Sequence, residues 1–159
     1  MGIRLRVAVF GGREINPEVY EQAFELGKLL GNEGWLVYCG GGGGVMEAIA
    51  RGVSESGGTC VGILKSTATA EANQWVSVPV VTGMGISRNA LIAYNCDVAV
   101  AISGQYGTLS EIAYALQLKK PVIGLNTWEI NGVIKADTPV EIINKIKEQT
   151  NGLGNTKTE

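Results

Sequence analysis

The chain has 159 residues, one domain's worth, of which 45% are hydrophobic and 18% charged, a balance that fits a folded globule and excludes a disordered or fibrous chain. A formal net charge of -2 supplies no basic footprint, which argues against nucleic-acid polymers and anionic membrane surfaces as partners but leaves a single mononucleotide open. The complete lack of histidine removes Ser-His-Asp triads, Cys-His pairs and zinc-hydrolase sites together, so any acid-base chemistry falls to carboxylates, lysine, tyrosine or water.

Met1 to Gly12 carries too short an apolar run for a secretory signal, and no run of about 18 apolar residues is present, which makes a cytoplasmic location the expectation. Cys39, Cys60 and Cys96 lie far apart with no CxxC spacing, so they read as buried free thiols and no metal site is expected.

Short Val- and Ile-rich runs alternate with stretches of helical period, the pattern of βαβ units and a parallel sheet. The first strand spans Arg4 to Phe10 and is broken by Gly11-Gly12. Asn16-Pro17 then supplies an N-cap with proline at the first helical position, Tyr20, Ala23, Phe24, Gly27 and Leu30 share one helix face, and Gly34 stops it. Trp35 to Cys39 is the second strand, followed by five glycines, Gly40 to Gly44, and a helix from Val45 to Ser56. Cys60 to Leu64 is the third strand, and the polar stretch Lys65 to Gln74 after it has the composition of a lid. Val76 to Val81 is a fourth strand that Pro79 assigns to an edge. A helix around Ser87 to Asn95 precedes the apolar strand Val98 to Ile102, which reads as buried on both faces. Ser103 to Gly107 forms a second glycine-containing turn, and the next helix runs from Thr108 to Leu118. Pro121 to Leu125 is a strand, Glu129 to Ile134 reads as hairpin-like, and Thr138-Pro139 opens a last helix ending near Thr150. The expected architecture is one α/β domain over residues 1–150, a Rossmann-like, doubly wound three-layer sandwich with a mostly parallel sheet and a flexible tail over 151–159.

Chemistry concentrates at two strand-to-helix junctions. Gly40-Gly41-Gly42-Gly43-Gly44 and Ser103-Gly104-Gln105-Tyr106-Gly107-Thr108 both precede helices, where unpaired N–H groups and the helix dipole form an anion site that glycine lets a phosphate approach. Neither junction has the GxGxxG pattern or the GK[ST] ending, which argues against NAD binding and ATP hydrolysis. Glu111 admits two readings: a reactive carboxylate beside the second loop, or the closing member of a capping box on Thr108. Arg88 either reaches a phosphate or a carboxylate with its planar fork or lies solvated on the surface. The tryptophans, with Tyr94 and Tyr114, read as packing residues.

Val7 to Gly12, Val37 to Gly42 and, above all, Arg88 through Glu111 resemble the LOG-like family, whose members include cytokinin nucleotide phosphoribohydrolases, proteins labelled lysine decarboxylases and molybdenum cofactor carriers. The last stretch is similar, without a gap, to a family segment that begins RK and ends PGGxGTxxE. The resemblance implies that Arg88 and Glu111 are catalytic and that the glycine turns, Gly11, Gly12 and both later junctions, hold the phosphate of a nucleotide-like ligand. It further implies cleavage of an N-glycosidic bond in a nucleoside 5'-monophosphate, or else a non-catalytic carrier of a nucleotide or phosphorylated pterin-type molecule, in a dimer or tetramer. No cofactor is implied, and nothing suggests the Schiff-base lysine of a pyridoxal phosphate decarboxylase. Four positions depart from the family: Ser103 stands for the motif's proline, Gln105 for its middle glycine, Asn89 for the lysine after the arginine, and Glu47 where glycine is frequent.

Overall fold

The computed structural model describes residues 4–152. Seven strands form one sheet: β1 (Arg6–Gly11), β2 (Leu36–Cys39), β3 (Thr59–Leu64), β4 (Val78–Val81), β5 (Val98–Ile102), β6 (Val122–Leu125) and β7 (Val133–Lys135). All neighbours run parallel in the order β4-β3-β2-β1-β5-β6-β7. Five helices make the connections: α1 (Pro17–Asn32), α2 (Val45–Glu55), α3 (Asn89–Tyr94), α4 (Tyr106–Gln117) and α5 (Pro139–Thr150). The expected Rossmann-like three-layer sandwich is what the chain adopts. The tail assigned to 151–159 lies largely outside the described residues. Among those residues no helix is long and apolar enough to cross a membrane.

Alternation along the strands builds two cores. Val7, Val9, Val98, Val100 and Ile102 point to the face covered by α1, α2 and α5, whereas Ala8, Phe10, Ala99 and Ala101 point to the face of α3 and α4. β5 is buried at every position, as expected of a central parallel strand. Pro79 sits in edge strand β4, where a missing N–H leaves no neighbour unpaired. Asn16 caps α1 through Oδ1, which accepts from the Val19 N–H at 2.9 Å, and Pro17 takes the first turn.

Three sequence expectations change. The hairpin-like piece is β7, paired parallel to β6 after the Asn126–Gly132 connection. The helix after the second glycine turn begins at Tyr106, two residues early, because Gln105 already provides its first carbonyl. The polar segment after β3 is no free lid: Asn73 Nδ2 donates to the Gly42 carbonyl at 2.9 Å, and the Gly83 and Gly85 N–H groups donate to the Ser66 and Lys65 carbonyls at 3.0 and 2.9 Å.

The closest helix crossing joins α1 to α2 through two glycines. A Cβ on Gly27 would lie 2.5 Å from the Ile49 carbonyl oxygen, and one on Gly52 would overlap the Phe24 carbonyl oxygen. Backbone cannot yield there as a flexible side chain would, so Gly52→Ala is expected to destabilise the fold by about 1–3 kcal/mol. Urea unfolding monitored by circular dichroism measures the shift, and an unchanged midpoint would show that the helices slide apart freely.

Candidate functional site

Strand order reverses between β1 and β5, and in an open parallel sheet the crevice beyond that switch point is where ligands settle. Gly11 pairs with Ile102 in register, so the loops after these two strands emerge side by side. They touch: a Cβ on Gly12 would stand 3.4 Å from the Gly104 Cα. A cavity of about 580 Å³ opens over this point, walled by the β1–α1 loop, the β5–α4 loop, Gly40, Lys65, Arg88 and Glu111.

The start of α4 forms one wall. No backbone carbonyl takes up the N–H groups of Gly104, Gln105, Tyr106, Gly107 or Thr108, the orphan donors expected at a helix start. Gly104 has φ 94° and lies against the Thr108 side chain, so a Cβ there would collide with Thr108 Oγ1. Ser103 has φ 51°, a value that a proline ring forbids. Serine in place of the family's proline therefore accompanies a different local backbone. Glu111 sits in the second turn, and its carboxylate does not cap Thr108; the capping-box reading falls.

Arg88 ends a short 3₁₀ turn, Gly85–Arg88, and runs back into the protein with 9% of its surface exposed. Its Nη1 donates to the Gly40 carbonyl at 2.8 Å and the Ile63 carbonyl at 2.6 Å, while Nε donates to Asn89 Oδ1 at 3.0 Å. Asn89 Nδ2 in turn donates to Ser110 Oγ at 3.1 Å, which joins the arginine to α4. Three donor directions are thus spent on protein, and Nη2 remains for the cavity. A Cβ on Gly40 would stand 2.7 Å from Met46 Sδ and 2.8 Å from Arg88 Nη1, so a side chain there would press on the arginine.

Glu111 is 8% exposed and forms none of the ion pairs seen among the described residues. Burial pushes its carboxyl up to about 8, against the pull of the Arg88 charge, so at neutral pH it holds its proton and can donate a hydrogen bond. Burial also lowers the Arg88 value, which the Glu111 charge partly offsets.

Of the residues singled out in the sequence, Gly11, Gly12, Gly40, Arg88, Ser103, Gly104, Gln105, Gly107, Thr108 and Glu111 line this cavity. Gly41, Gly42, Gly43, Gly44 and Tyr106 do not. The glycine run instead serves packing. Gly44, at φ 64°, presses on the Gly12 carbonyl, and the Val45 N–H donates to that same oxygen at 2.9 Å, so the α2 start is partly occupied by protein. Of the first glycine-rich junction, only Gly40 and, from the start of α2, Met46 reach this cavity. Sequence reasoning missed Arg13, Glu14, Met46, Lys65 and Ile86, and took Asn89 only as a departure from the family motif. Arg13 and Glu14 follow the first glycine pair directly, a signal within reach; Lys65 and Met46 carry none.

This arrangement defines a Rossmann-like α/β protein whose polar crevice joins an uncapped helix start to a buried arginine and glutamate. The chain belongs to the SLOG cluster4 family, whose model matches residues 4–155. It is similar to the molybdenum cofactor binding protein of Rippkaea orientalis, at 34% identity and TM-score 0.87, covering 92% of this chain and 97% of that one. The molybdenum cofactor carrier protein of Chlamydomonas reinhardtii is similar at 32% identity and TM-score 0.85, covering 93% and 99%. A probable cytokinin riboside 5'-monophosphate phosphoribohydrolase of Oryza sativa subsp. japonica, LOGL9, is 35% identical over 112 residues, 67% of this chain and 49% of its own length.

The Glu111 proton carries a stability signature. The folded chain keeps it to about pH 8 whereas an unconstrained glutamate releases it near 4.5, so between those values the unfolded state binds fewer protons and stability falls as pH rises. Glu111→Gln cannot ionise and should lose that slope, gaining stability over the wild type progressively across the window. Thermal unfolding at either end of it decides the matter, and a constant difference between the two proteins would refute the proton assignment.

Proposed function

We propose that the chain is a non-catalytic binding or carrier protein for a phosphorylated, nucleotide-like small molecule, with the phosphoryl group seated on the start of α4. The observation that carries this reading is the row of unpaired N–H groups from Gly104 to Thr108, most of it on the wall of a cavity that also holds Arg88 and Glu111, whose carboxyl burial pushes up to about 8. A phosphate there accepts from the amides, from Thr108 Oγ1 and from the Glu111 carboxyl, while Arg88 Nη2, Arg13 and Lys65 offset its charge. The carriers it resembles are matched over nearly their whole length, which makes a phosphorylated pterin-type molecule the first cargo to consider.

The second reading is a phosphoribohydrolase, favoured by Arg88 and Glu111 facing one cavity. Water would add to the anomeric carbon as the glycosidic bond breaks, with the base leaving as the protonated product. Glu111 would then act as a carboxylate against the developing positive charge. That role runs against its retained proton and against an Arg88 whose donors are largely committed to backbone. We also infer self-association through α3 and α4, where Tyr94 and Tyr114 are 59% and 43% exposed. Sedimentation should give more than one copy, and a shift to monomer in Tyr94→Glu would support this face.

Calorimetry with a panel of nucleoside 5'-monophosphates, paired with chromatography for free base, separates the readings. Saturable binding without base release is expected. Gly104→Ala, which forces a Cβ onto Thr108 at a positive φ, should weaken binding by at least about tenfold, as expected when charge-assisted hydrogen bonds are lost. Turnover to free base that disappears in Glu111→Ala would replace the carrier with the hydrolase.

A further inference from the structure

We infer that the β6–β7 connection positions the phosphate-binding start of α4 through two side-chain donors, Thr127 and Trp128. The inference rests on the reading above. Thr127 Oγ1 donates to the Ser103 carbonyl at 2.7 Å, and Trp128 Nε1 donates to the Gln105 carbonyl at 3.1 Å. The consequence follows from the planar trans peptide, in which the carbonyl of one residue and the N–H of the next point in opposite directions. Drawing the Ser103 carbonyl toward Thr127 turns the Gly104 N–H away from that loop. Drawing the Gln105 carbonyl toward Trp128 does the same to the Tyr106 N–H.

Two cavities show which side is which. Thr127 and Trp128 line a separate cavity of about 390 Å³ and have no place on the wall of the one that holds Arg88 and Glu111. The loop between them thus presents carbonyls to one side and N–H groups to the other. Thr108 and Glu111, 3% and 8% exposed and with no hydrogen-bonded side-chain partner, line the same cavity as Gly104 and Gln105.

The clamp is needed because the loop is not in a relaxed conformation. Ser103 is a non-glycine residue at φ 51°, a region that persists where surrounding contacts impose it. Its N–H donates to the Leu125 carbonyl at 3.1 Å and its carbonyl accepts from Thr127, so both its backbone groups are anchored to the β6 side. The Trp128 ring also stacks on Tyr106 with centroids 6.2 Å apart, which holds the indole in place to donate. Thr127 and Trp128 are therefore positioning residues, acting through Ser103 and Gln105.

Thr127→Val and Trp128→Phe each remove one donor and retain shape or stacking, and Thr127→Ser restores the hydroxyl. Binding of adenosine 5'-monophosphate and of adenosine is measured by calorimetry on wild type and all variants. Each donor deletion should weaken the monophosphate by about three- to tenfold, the usual consequence of one lost hydrogen bond, and leave adenosine unchanged, whereas Thr127→Ser should bind the monophosphate as the wild type does. In nuclear magnetic resonance spectra, inorganic phosphate should displace the Gly104 and Tyr106 amide signals in the wild type and less so in the deletions. A wild type that binds the monophosphate no better than adenosine overturns the phosphate reading, and this inference with it. A wild type that prefers the monophosphate, beside deletions that match it or that lose both ligands equally, overturns the positioning role alone.

Discussion

A guanidinium carried into the end of a β-sheet must find acceptors, and Arg88 finds them in the carbonyls of Gly40 and Ile63, at the finishing ends of β2 and β3. Desolvating a cation is costly unless hydrogen bonds replace its water, and two backbone oxygens plus Asn89 Oδ1 do so here. Much of the crevice follows from that arrangement. A side chain at Gly40 would press on the arginine, and Asn89, the first residue of α3, is held between the arginine and Ser110 of α4. Glu111 then lies in the field of a charge that it does not touch. Burial outweighs that field, and the carboxyl keeps its proton while the arginine keeps its charge. The cavity between them is electropositive and rich in donors, the environment that an oxygen-bearing anion requires.

The two glycine-rich junctions look equivalent as strings of letters and serve different ends. At β2–α2 the glycines let the loop pass under Arg88 and against Gly12, and the Val45 N–H is consumed by the Gly12 carbonyl. At β5–α4 the chain turns through two consecutive positive φ values, at Ser103 and Gly104, and leaves its following N–H groups without backbone acceptors. Both junctions leave N–H groups without backbone acceptors, Gly42 to Gly44, Met46 and Glu47 at the first and Gly104 to Thr108 at the second, but most of the second row lies on the cavity wall whereas of the first only Met46 does. Packing of neighbouring loops decides which junction lines the cavity.

The carrier and hydrolase readings can share one pocket because both need a phosphate held. They differ in what is asked of the carboxyl group. A hydrolase needs it ionised beside a developing cation, whereas a carrier is served equally well by a proton donor. In this chain the environment of Glu111 favours the proton, and the departures Asn89 and Gln105 stand on the arginine and on the phosphate loop respectively.

Much of the fold was legible in the sequence because it rests on local regularities. Runs such as Val98–Ile102, caps such as Asn16-Pro17 and Thr138-Pro139, and the proline of β4 each express a preference of a few neighbouring residues. The motif from Arg88 to Glu111 likewise supplied residues that line one crevice, since strand order follows from the βαβ pattern and glycines gather at the carboxyl edge. What the sequence left open depends on distances through space. Whether the Glu111 side chain caps its own helix or faces a cavity, whether Arg88 is solvated or buried on two carbonyls, and which glycine junction lines the cavity are settled by contacts between residues 20 to 50 positions apart. Thr127 carried no mark in the sequence and Trp128 read only as a packing residue, because a side chain that orients a peptide group acts from a different strand's loop, and only the folded sheet brings the two loops together.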